Sequence, residues 1–258
     1  MSGLVMGAPA PERVIMAVDT NDGQRAMQLM HIAVEAGAGT VKLGLELGTA
    51  IGWRNCSELA ESYNLNWVAD MKLNDIPNTT EGALFTVVNL AHKPVGITIH
   101  TRSGVKSLEA AQKMAEPKEI TMIGVTHLTS IDDAETKLYE KVTRGIVVKR
   151  ESRRAVAGGI AGLVCSPREV ALVKKYTKTK GLVTMIPGAR SAGVDAQDQK
   201  NPETPFQTII NGADYLVGGR QITASSDPEK AFNDYVAEIQ AALDALKGVS
   251  KSRRRKAA

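Results

Sequence analysis

Long hydrophobic runs and clustered cysteines are both absent from this chain. No apolar stretch approaches the roughly 18 residues that a membrane-spanning helix needs. Residues 1–10 lack the basic start and long apolar centre of a signal peptide. The two cysteines, Cys56 and Cys165, lie far apart in apolar surroundings, which argues against a disulfide framework and indicates buried thiols in a reducing compartment. The sequence therefore predicts a soluble, unsecreted, cytoplasmic protein with no membrane partner.

Two further absences narrow the functional classes. The four histidines, His31, His92, His100 and His127, show no close metal-ligand spacing, so we predict no metal site. The net charge of +4 is weak support for nucleic-acid binding, because the last eight residues alone carry five positive side chains. Such a basic terminus is usually a solvated tail. We therefore expect no nucleic-acid partner and assign residues 249–258 no role.

Short segments rich in β-branched residues alternate with segments of helical period along the chain. The strand candidates are residues 13–18, 40–45, 66–71, 96–100, 120–126, 162–165, 181–186 and 214–219. The helix candidates are residues 22–36, 54–63, 79–92, 104–115, 167–175, 203–211 and 227–247. This rhythm predicts an α/β protein with a (β/α)8 TIM barrel, as a single domain over residues 11–248 that follows an N-terminal extension, residues 1–10. An open doubly wound sheet competes, but no G-x-G-x-x-G follows the first strand.

Two long polar segments interrupt this rhythm, at residues 131–158 and 190–204. The loops that follow strands build the active-site face of a barrel, so a long loop there favours a lid that closes over substrate. For residues 131–158 a second interpretation stays open. Their many charges are also compatible with an exposed helix that has no catalytic part.

Charged side chains are concentrated where the first three strand candidates end. Asp19 follows the first, Lys42 lies in the second, and Asp70 and Lys72 end the third. Because side chains alternate along a strand, Asp70 and Lys72 should point the same way and be neighbours. A single Asp-x-Lys is usually an ordinary ion pair. Four charged groups in one barrel mouth are costly unless they compensate one another or are used, so we favour a functional site.

Glycine and arginine follow the last two strand candidates. The seventh ends in I-P-G-A-R, which contains Pro187 and Arg190, and the eighth ends in V-G-G-R, which contains Gly219 and Arg220. TIM barrels commonly bind phosphate between these two loops, and glycine amides and arginine suit that ligand. Turn glycines beside surface arginines are the plainer alternative. Two such pairs at the expected strand ends favour a phosphorylated substrate.

The segment D-x-K-x-x-D-I-P-N-T, residues 70–79, resembles the signature of orotidine 5'-monophosphate decarboxylases. Further matches are V-K-L-G around Lys42, V-T-H-L-T-S around Thr129, and the two glycine-arginine loops. The resemblance implies decarboxylation of orotidine 5'-monophosphate to uridine 5'-monophosphate, the last step of pyrimidine nucleotide synthesis, without metal or cofactor. Two alternatives stay open. One is another decarboxylase or aldolase of the same barrel group that acts on a keto-sugar phosphate and typically needs a metal. The other is a nucleotide-binding or RNA-binding protein that uses the basic tail.

The resemblance also implies roles for the charged residues. Lys72 would stabilise the carbanion that forms at C6 of the pyrimidine and then protonate it. Asp70 would orient Lys72 and stand close to the substrate carboxylate. Lys42 would bridge Asp70 and the ribose, and Asp19 would accept a hydrogen bond from a ribose hydroxyl.

Other residues enter the site by the resemblance alone. Asp75, Ile76 and Thr79 would reach the neighbouring subunit's site across a twofold homodimer. Thr129, with Ser130 as the alternative, would hydrogen-bond the pyrimidine amide. The remaining substrate-binding residues, most of them on the phosphate, would be Pro187, Arg190, Gln199 with Gln197 as the alternative, Gly219 and Arg220.

Overall fold

Eight parallel strands form one closed barrel in which β1 pairs with β8. The computed structural model describes residues 3–177, 181–192 and 203–257, with side chains up to residue 248 except that of Thr177. The strands are β1 (Val14–Val18), β2 (Thr40–Gly44), β3 (Asn66–Leu73), β4 (Gly96–His100), β5 (Thr121–Val125), β6 (Gly162–Val164), β7 (Val183–Pro187) and β8 (Tyr215–Gly218). The predicted (β/α)8 barrel is confirmed, and every strand overlaps its predicted segment.

Helices connect and cover the strands. They are α1 (Gly23–Glu35), α2 (Leu45–Ser62), α3 (Pro77–Val88), α4 (Val105–Ala115), α5 (Asp133–Glu140), α6 (Arg144–Ala157), α7 (Val170–Thr177), α8 (Pro205–Ile210), α9 (Arg220–Thr223) and α10 (Pro228–Ala257). Helix α2 begins earlier than predicted, and Gly52, with a φ of 81°, marks a kink inside it. Helix α10 continues through the basic tail, whose backbone is helical as far as Ala257. Among the described residues, no helix is long and apolar enough to cross a membrane.

Alternation along the strands separates two hydrophobic clusters, one inside the barrel and one between the strands and the helices. On β3, Trp67 and Ala69 pack in the outer cluster, whereas Val68 packs inside the barrel. Asp70 therefore points into the barrel. On β2 the same alternation turns Lys42 inward, because both of its neighbours in sequence belong to the outer cluster. Strand alternation thus places the side chains of Asp70 and Lys42 inside the barrel.

Residues 131–158 form two helices, α5 and α6, rather than one loop. The interpretation of this segment as an exposed helix is wrong for α6. Its residues Val147, Val148 and Ala155 are fully buried, and so is Glu151. Glu151 accepts hydrogen bonds from Thr101 Oγ1 at 2.9 Å and from Arg154 Nη1 at 2.7 Å. Helix α6 therefore belongs to the outer layer of the barrel. Its buried face combines apolar side chains with the paired Glu151, and the dense charges of the sequence conceal this face.

The described part of the N-terminal extension contacts the end of the barrel opposite the strand C-termini. The backbone N–H of Leu4 donates to Thr121 Oγ1 at 2.9 Å, and the Leu4 side chain packs on the inner cluster. Val5 exchanges two hydrogen bonds with the hydroxyl of Tyr215, at 3.1 Å and 2.9 Å. Since Thr121 begins β5 and Tyr215 begins β8, these contacts cover the amino-terminal face of the barrel.

Candidate active site

A cavity of about 500 Å³ opens at the carboxyl-terminal end of the barrel. This volume falls within the range of small-molecule sites, and this end carries the active site of TIM-barrel enzymes. Four charged residues in or directly after the first three strands line it, namely Asp19, Lys42, Asp70 and Lys72. The residues from later strands and loops that line it include Thr129, Pro187, Arg190, Gly219 and Arg220.

The four charged residues form a row of alternating sign. Lys42 Nζ lies 2.8 Å from Asp19 Oδ1 and 3.2 Å from Asp70 Oδ2. Lys72 Nζ lies 2.7 Å from the same Asp70 Oδ2. Asp70 is therefore shared between two ammonium groups. The side chains of Lys42 and Asp70 are nearly buried, at 11% and 8% exposed, whereas Lys72 is 32% exposed and faces the cavity.

Simple strand alternation does not account for the contact between Asp70 and Lys72. The register between β3 and β4 shifts between Ala69 and Leu73, and Lys72 has a left-handed backbone with a φ of 47°. A non-glycine residue in this conformation costs about 1 kcal/mol or more, so surrounding contacts must hold it. The irregular backbone brings the Lys72 ammonium onto the Asp70 carboxylate. The adjacency was predicted correctly, but its cause is a bulged strand end.

Thr98 on β4 holds this strand end, and the sequence interpretation missed it. Its Oγ1 accepts a hydrogen bond from Lys72 N at 2.9 Å and donates one to Asp70 Oδ1 at 2.8 Å. One hydroxyl thus fixes both the unusual backbone of the lysine and the orientation of the carboxylate. The available signal was the alternation in G-I-T-I-H, which places Thr98 on the inward face together with Gly96 and His100.

The charge row determines the protonation of Asp70. Burial alone would raise the pKa of this carboxyl, but Lys42, Lys72 and the Thr98 hydroxyl together lower it to about 2. Burial would likewise lower the pKa of Lys42, yet the carboxylates of Asp70 and Asp19 raise it above its usual value. Asp70 and Lys42 therefore stay charged at neutral pH.

Replacing Asp70 by asparagine should reduce the acid dependence of stability. The carboxyl has a pKa of about 2 when folded and about 3.9 when unfolded. Its contribution is therefore fully present above about pH 4 and is lost as the pH falls from about 4 to about 2. Between pH 5 and pH 3, the free energy of unfolding should fall by about 1 kcal/mol more in the wild type than in Asp70→Asn.

Urea unfolding at the two pH values measures this difference. Asp234→Asn, on the exposed face of α10, is the matched control and should keep the wild-type pH dependence. If the free energy of unfolding changed equally with pH in the wild type and in Asp70→Asn, the lowered pKa of Asp70 would be contradicted.

The loops after β7 and β8 form the other side of the cavity. Arg190 is 8% exposed, and its buried Nε has no hydrogen-bond partner among the described residues. A buried guanidinium N–H without a partner is costly, and a bound anion would satisfy it. Gln221 joins the two loops through two hydrogen bonds: its side chain accepts one from Ser191 N at 3.2 Å and donates one to Ser191 Oγ at 2.7 Å.

Thr223, which sequence analysis did not identify, also lines the cavity.

The remaining predicted residues fall into three groups. Thr129 lines the cavity, whereas the alternative residue Ser130 does not. Gln199 and its alternative Gln197 lie outside the described residues. Asp75, Ile76 and Thr79 are exposed and do not line the cavity of their own subunit.

Asp75 has a well-defined local conformation. Its Oδ1 accepts a hydrogen bond from Ile76 N at 2.7 Å, and its carbonyl oxygen accepts one from Ser107 Oγ at 2.8 Å. Helix α3 begins two residues later at Pro77, which suits the first helical position. The carboxylate is thus presented outward from the start of a helix.

No group of three histidine, cysteine or carboxylate side chains that could hold a metal ion occurs in the part of the chain that the structure describes. His100 ends β4 beside the charge row. Burial, Lys72 and Arg102 all lower its pKa, so its imidazole is neutral at pH 7. His127 donates to or accepts from Thr136 Oγ1 at 2.9 Å, and burial together with Arg144 lowers its pKa to about 4.

Comparison with known proteins gives one consistent result. The family model described as "Orotidine 5'-phosphate decarboxylase / HUMPS family" matches residues 12–235. The orotidine 5'-phosphate decarboxylase of Ehrlichia chaffeensis is 33% identical over 229 residues, which cover 88% of this chain and 96% of that protein. The enzyme of the same name from Afipia carboxidovorans is 35% identical over 233 residues, which cover 90% of this chain and 96% of that protein.

Solved structures agree with the sequence comparison. The crystal structure of orotidine 5'-phosphate decarboxylase from Lactobacillus acidophilus superposes with a TM-score of 0.72 at 26% identity, covering 88% of this chain and 99% of that one. The family model spans the strands that carry the charge row and the two glycine-arginine loops alike. With fold, site and sequence in agreement over nearly the whole barrel, this chain belongs to the orotidine 5'-phosphate decarboxylase family.

Proposed function

We propose that the protein decarboxylates orotidine 5'-phosphate to uridine 5'-monophosphate, the last step of pyrimidine nucleotide synthesis, with Lys72 as the proton donor. The observation that carries this proposal is the contact between Lys72 Nζ and Asp70 Oδ2, at 2.7 Å, at the edge of the cavity. Family membership supplies the reaction. The geometry supplies an ammonium group that is already fixed in place before substrate binds.

The chemical problem is a carbanion. Loss of carbon dioxide leaves an electron pair on C6 of the pyrimidine, in an orbital of the ring plane that the π system does not delocalise. A positive charge fixed beside C6 before the bond breaks stabilises this pair without solvent reorganisation. The bond between C6 and the carboxyl carbon breaks, carbon dioxide leaves, and Lys72 donates a proton to C6. The neutral amine then regains a proton from water.

Asp70 acts on both Lys72 and the substrate in this scheme. Its carboxylate orients the Lys72 ammonium, and the Thr98 hydroxyl keeps the carboxylate from rotating away. The same carboxylate would stand close to the carboxylate of the substrate. That unfavourable contact is relieved as carbon dioxide leaves, so it is weaker in the transition state than in the ground state.

Parts of the substrate that do not react would provide binding energy. Asp19 and Lys42 would bind ribose hydroxyls, and Thr129 would bind the pyrimidine amide. The phosphate would be held beside Pro187 by Arg190, Gln199, Gly219 and Arg220. The partnerless Nε of Arg190 supports an anion at this position. Binding energy from the phosphate can drive closure of the site over the base, which raises the rate of a distant step.

Replacing Arg220 by alanine should weaken substrate binding more than it slows the chemical step. Loss of one charge-assisted hydrogen bond costs about 1.5–3 kcal/mol, so KM should rise by roughly ten- to a hundredfold. Steady-state kinetics measures the separate effects on KM and kcat. Arg54→Ala, which removes an exposed arginine of α2, is the control and should leave both parameters unchanged. Unchanged KM in Arg220→Ala would remove this residue from the phosphate site.

We also propose a homodimer in which Asp75, Ile76 and Thr79 complete the neighbouring site. All three residues are exposed at or just before the start of α3, within seven residues of Lys72 in sequence, and none lines the cavity of its own subunit. Ile76, which immediately precedes α3, is 64% exposed, and Phe85 within α3 is 63% exposed. Exposed large apolar side chains support an interface on this side of the barrel.

The enzyme would work in the cytoplasm. Cys56 and Cys165 are buried free thiols, as expected in a reducing compartment. Burial raises the pKa of Cys56 to about 12 and also raises that of Cys165, so neither thiol is reactive at neutral pH.

A spectrophotometric assay tests the proposed reaction directly. The absorbance of orotidine 5'-phosphate should fall when the full-length protein is added, and a chelator should not slow the reaction. Activity on a keto-sugar phosphate that is lost in chelator would instead support the metal-dependent alternative.

Removal of residues 249–258 should leave turnover unchanged, whereas a binding protein that depends on its basic tail would lose its function.

A further inference from the structure

The loop that carries Thr129 runs from the end of β5 to the start of α5. It begins at Thr126, whose hydroxyl donates to Val164 O at 2.8 Å, and ends at Asp132, the N-cap of α5. Thr129 lies between these anchors and lines the cavity. The conformation of a few backbone residues therefore determines where the Thr129 hydroxyl points.

Arg144, the first residue of α6, satisfies the carbonyl groups of this loop. Its Nη1 donates to Leu128 O at 2.8 Å and also to Ile131 O, and its Nη2 donates to His127 O at 3.4 Å. One guanidinium thus binds the backbone on both sides of Thr129. Arg144 is 5% exposed, so its guanidinium is held among protein partners rather than in solvent.

Glu169 holds the guanidinium from the other side. Its Oε1 accepts from Arg144 Nε at 2.6 Å, and its Oε2 accepts from Nη2 at 3.3 Å. Glu169 Oε2 also accepts from Ser166 N at 3.0 Å, which attaches the pair to the turn that follows β6. A buried ion pair adds little net stability compared with apolar residues of similar size. A planar guanidinium bound at both edges does, however, fix geometry.

We propose that Arg144, oriented by Glu169, is a positioning residue that holds Thr129 against the pyrimidine of the substrate. This inference rests on the proposed contact between Thr129 and the base. Arg144 does not line the cavity and acts only through the loop. A lysine in its place keeps the positive charge but cannot donate to three carbonyls and a carboxylate in one plane. The loop would then sample other conformations, and Thr129 would lose its fixed position.

Binding of two ligands to the full-length protein tests the proposal. Uridine 5'-monophosphate carries the base, whereas ribose 5-phosphate lacks it and retains the other contacts. Arg144→Lys should weaken binding of uridine 5'-monophosphate roughly fivefold, the effect of one lost hydrogen bond, and leave ribose 5-phosphate binding unchanged. Arg154→Lys is the matched control, because Arg154 lies on the same helix and pairs with Glu151 instead. It should change neither affinity.

A double variant decides whether Arg144 acts through Thr129. Thr129→Val alone should weaken uridine 5'-monophosphate binding by a similar factor, and adding Arg144→Lys to it should cause no further loss. Fully additive losses, or equal losses for both ligands, would overturn the positioning role. If Arg144→Lys fails to fold by circular dichroism, Glu169→Gln replaces it with the same expectations, since the amide keeps an acceptor for Ser166 N.

Failure of the underlying function gives a different result. A wild-type protein that neither binds uridine 5'-monophosphate nor turns over orotidine 5'-phosphate would remove the proposed function. A wild-type protein that does both, with additive losses in the double variant, would leave that function in place and remove only the role of Arg144.

Discussion

Replacing Lys72 by alanine should reduce the turnover of orotidine 5'-phosphate by at least about four orders of magnitude. The substitution removes the only side chain that the proposal assigns both to stabilising the carbanion and to protonating C6. It also leaves the Asp70 carboxylate facing the substrate without the ammonium now 2.7 Å away. Single-turnover measurements of the absorbance of orotidine 5'-phosphate, with enzyme in excess, report the chemical step directly.

The Lys72→Ala protein should still fold, because the lysine side chain is 32% exposed and contributes little to the core. Its thermal unfolding should remain cooperative, and it should still bind uridine 5'-monophosphate. Lys113→Ala, which removes an exposed lysine of α4, is the matched control and should keep wild-type turnover. If Lys72→Ala turned over substrate within a few-fold of the wild type, Lys72 would not be the proton donor, although the family assignment would stand.

Mixing two inactive variants should restore activity if each site is shared between subunits. We expect Lys72→Ala and Asp75→Ala homodimers to be nearly inactive by themselves. After subunit exchange at equal concentrations, half of the dimers are mixed, and each mixed dimer contains one site with both native side chains. Activity should therefore return to about a quarter of the wild-type value. Titration of one variant into the other, followed by the absorbance assay, measures this recovery.

A second mixture is the control for this experiment. Lys72 and Asp70 belong to the same subunit's site, so a mixture of Lys72→Ala with Asp70→Asn creates no intact site and should recover no activity. A mixture of Lys72→Ala with Asp75→Ala that stays equally inactive, although subunit exchange is demonstrated, would place Asp75 outside the neighbouring site. The exposed position of Asp75 beside α3 would then need another explanation.

Sequence analysis identified the site residues that stand out as charged groups at the ends of apolar strands. Asp19, Lys42, Asp70 and Lys72 are charged groups in otherwise apolar segments, and the closed barrel brings them into one cavity. Parallel strands all end at the same rim, so positions far apart in sequence become neighbours once the strands are counted correctly. Once a (β/α)8 barrel is predicted, the grouping of these four residues at one rim follows from it.

The residues that sequence analysis missed act through contacts that no local pattern reveals. Thr98 is one threonine in an apolar strand, and its role depends on the shifted register between β3 and β4. Arg144 lies in a densely charged segment that resembles a solvated surface, yet it is buried against Glu169, 25 residues away. Both side chains matter because of partners supplied by other elements of the barrel.

Period and residue type, which are local properties, determined the order of strands and helices, the closed barrel and the kind of chemistry at its mouth. Only the tertiary structure decided how Lys72 reaches Asp70. Its left-handed backbone, with a φ of 47°, is unfavourable by itself and persists because Thr98 binds it from the next strand. A conformation that is held by a neighbouring strand against its local preference cannot be deduced from the segment that adopts it.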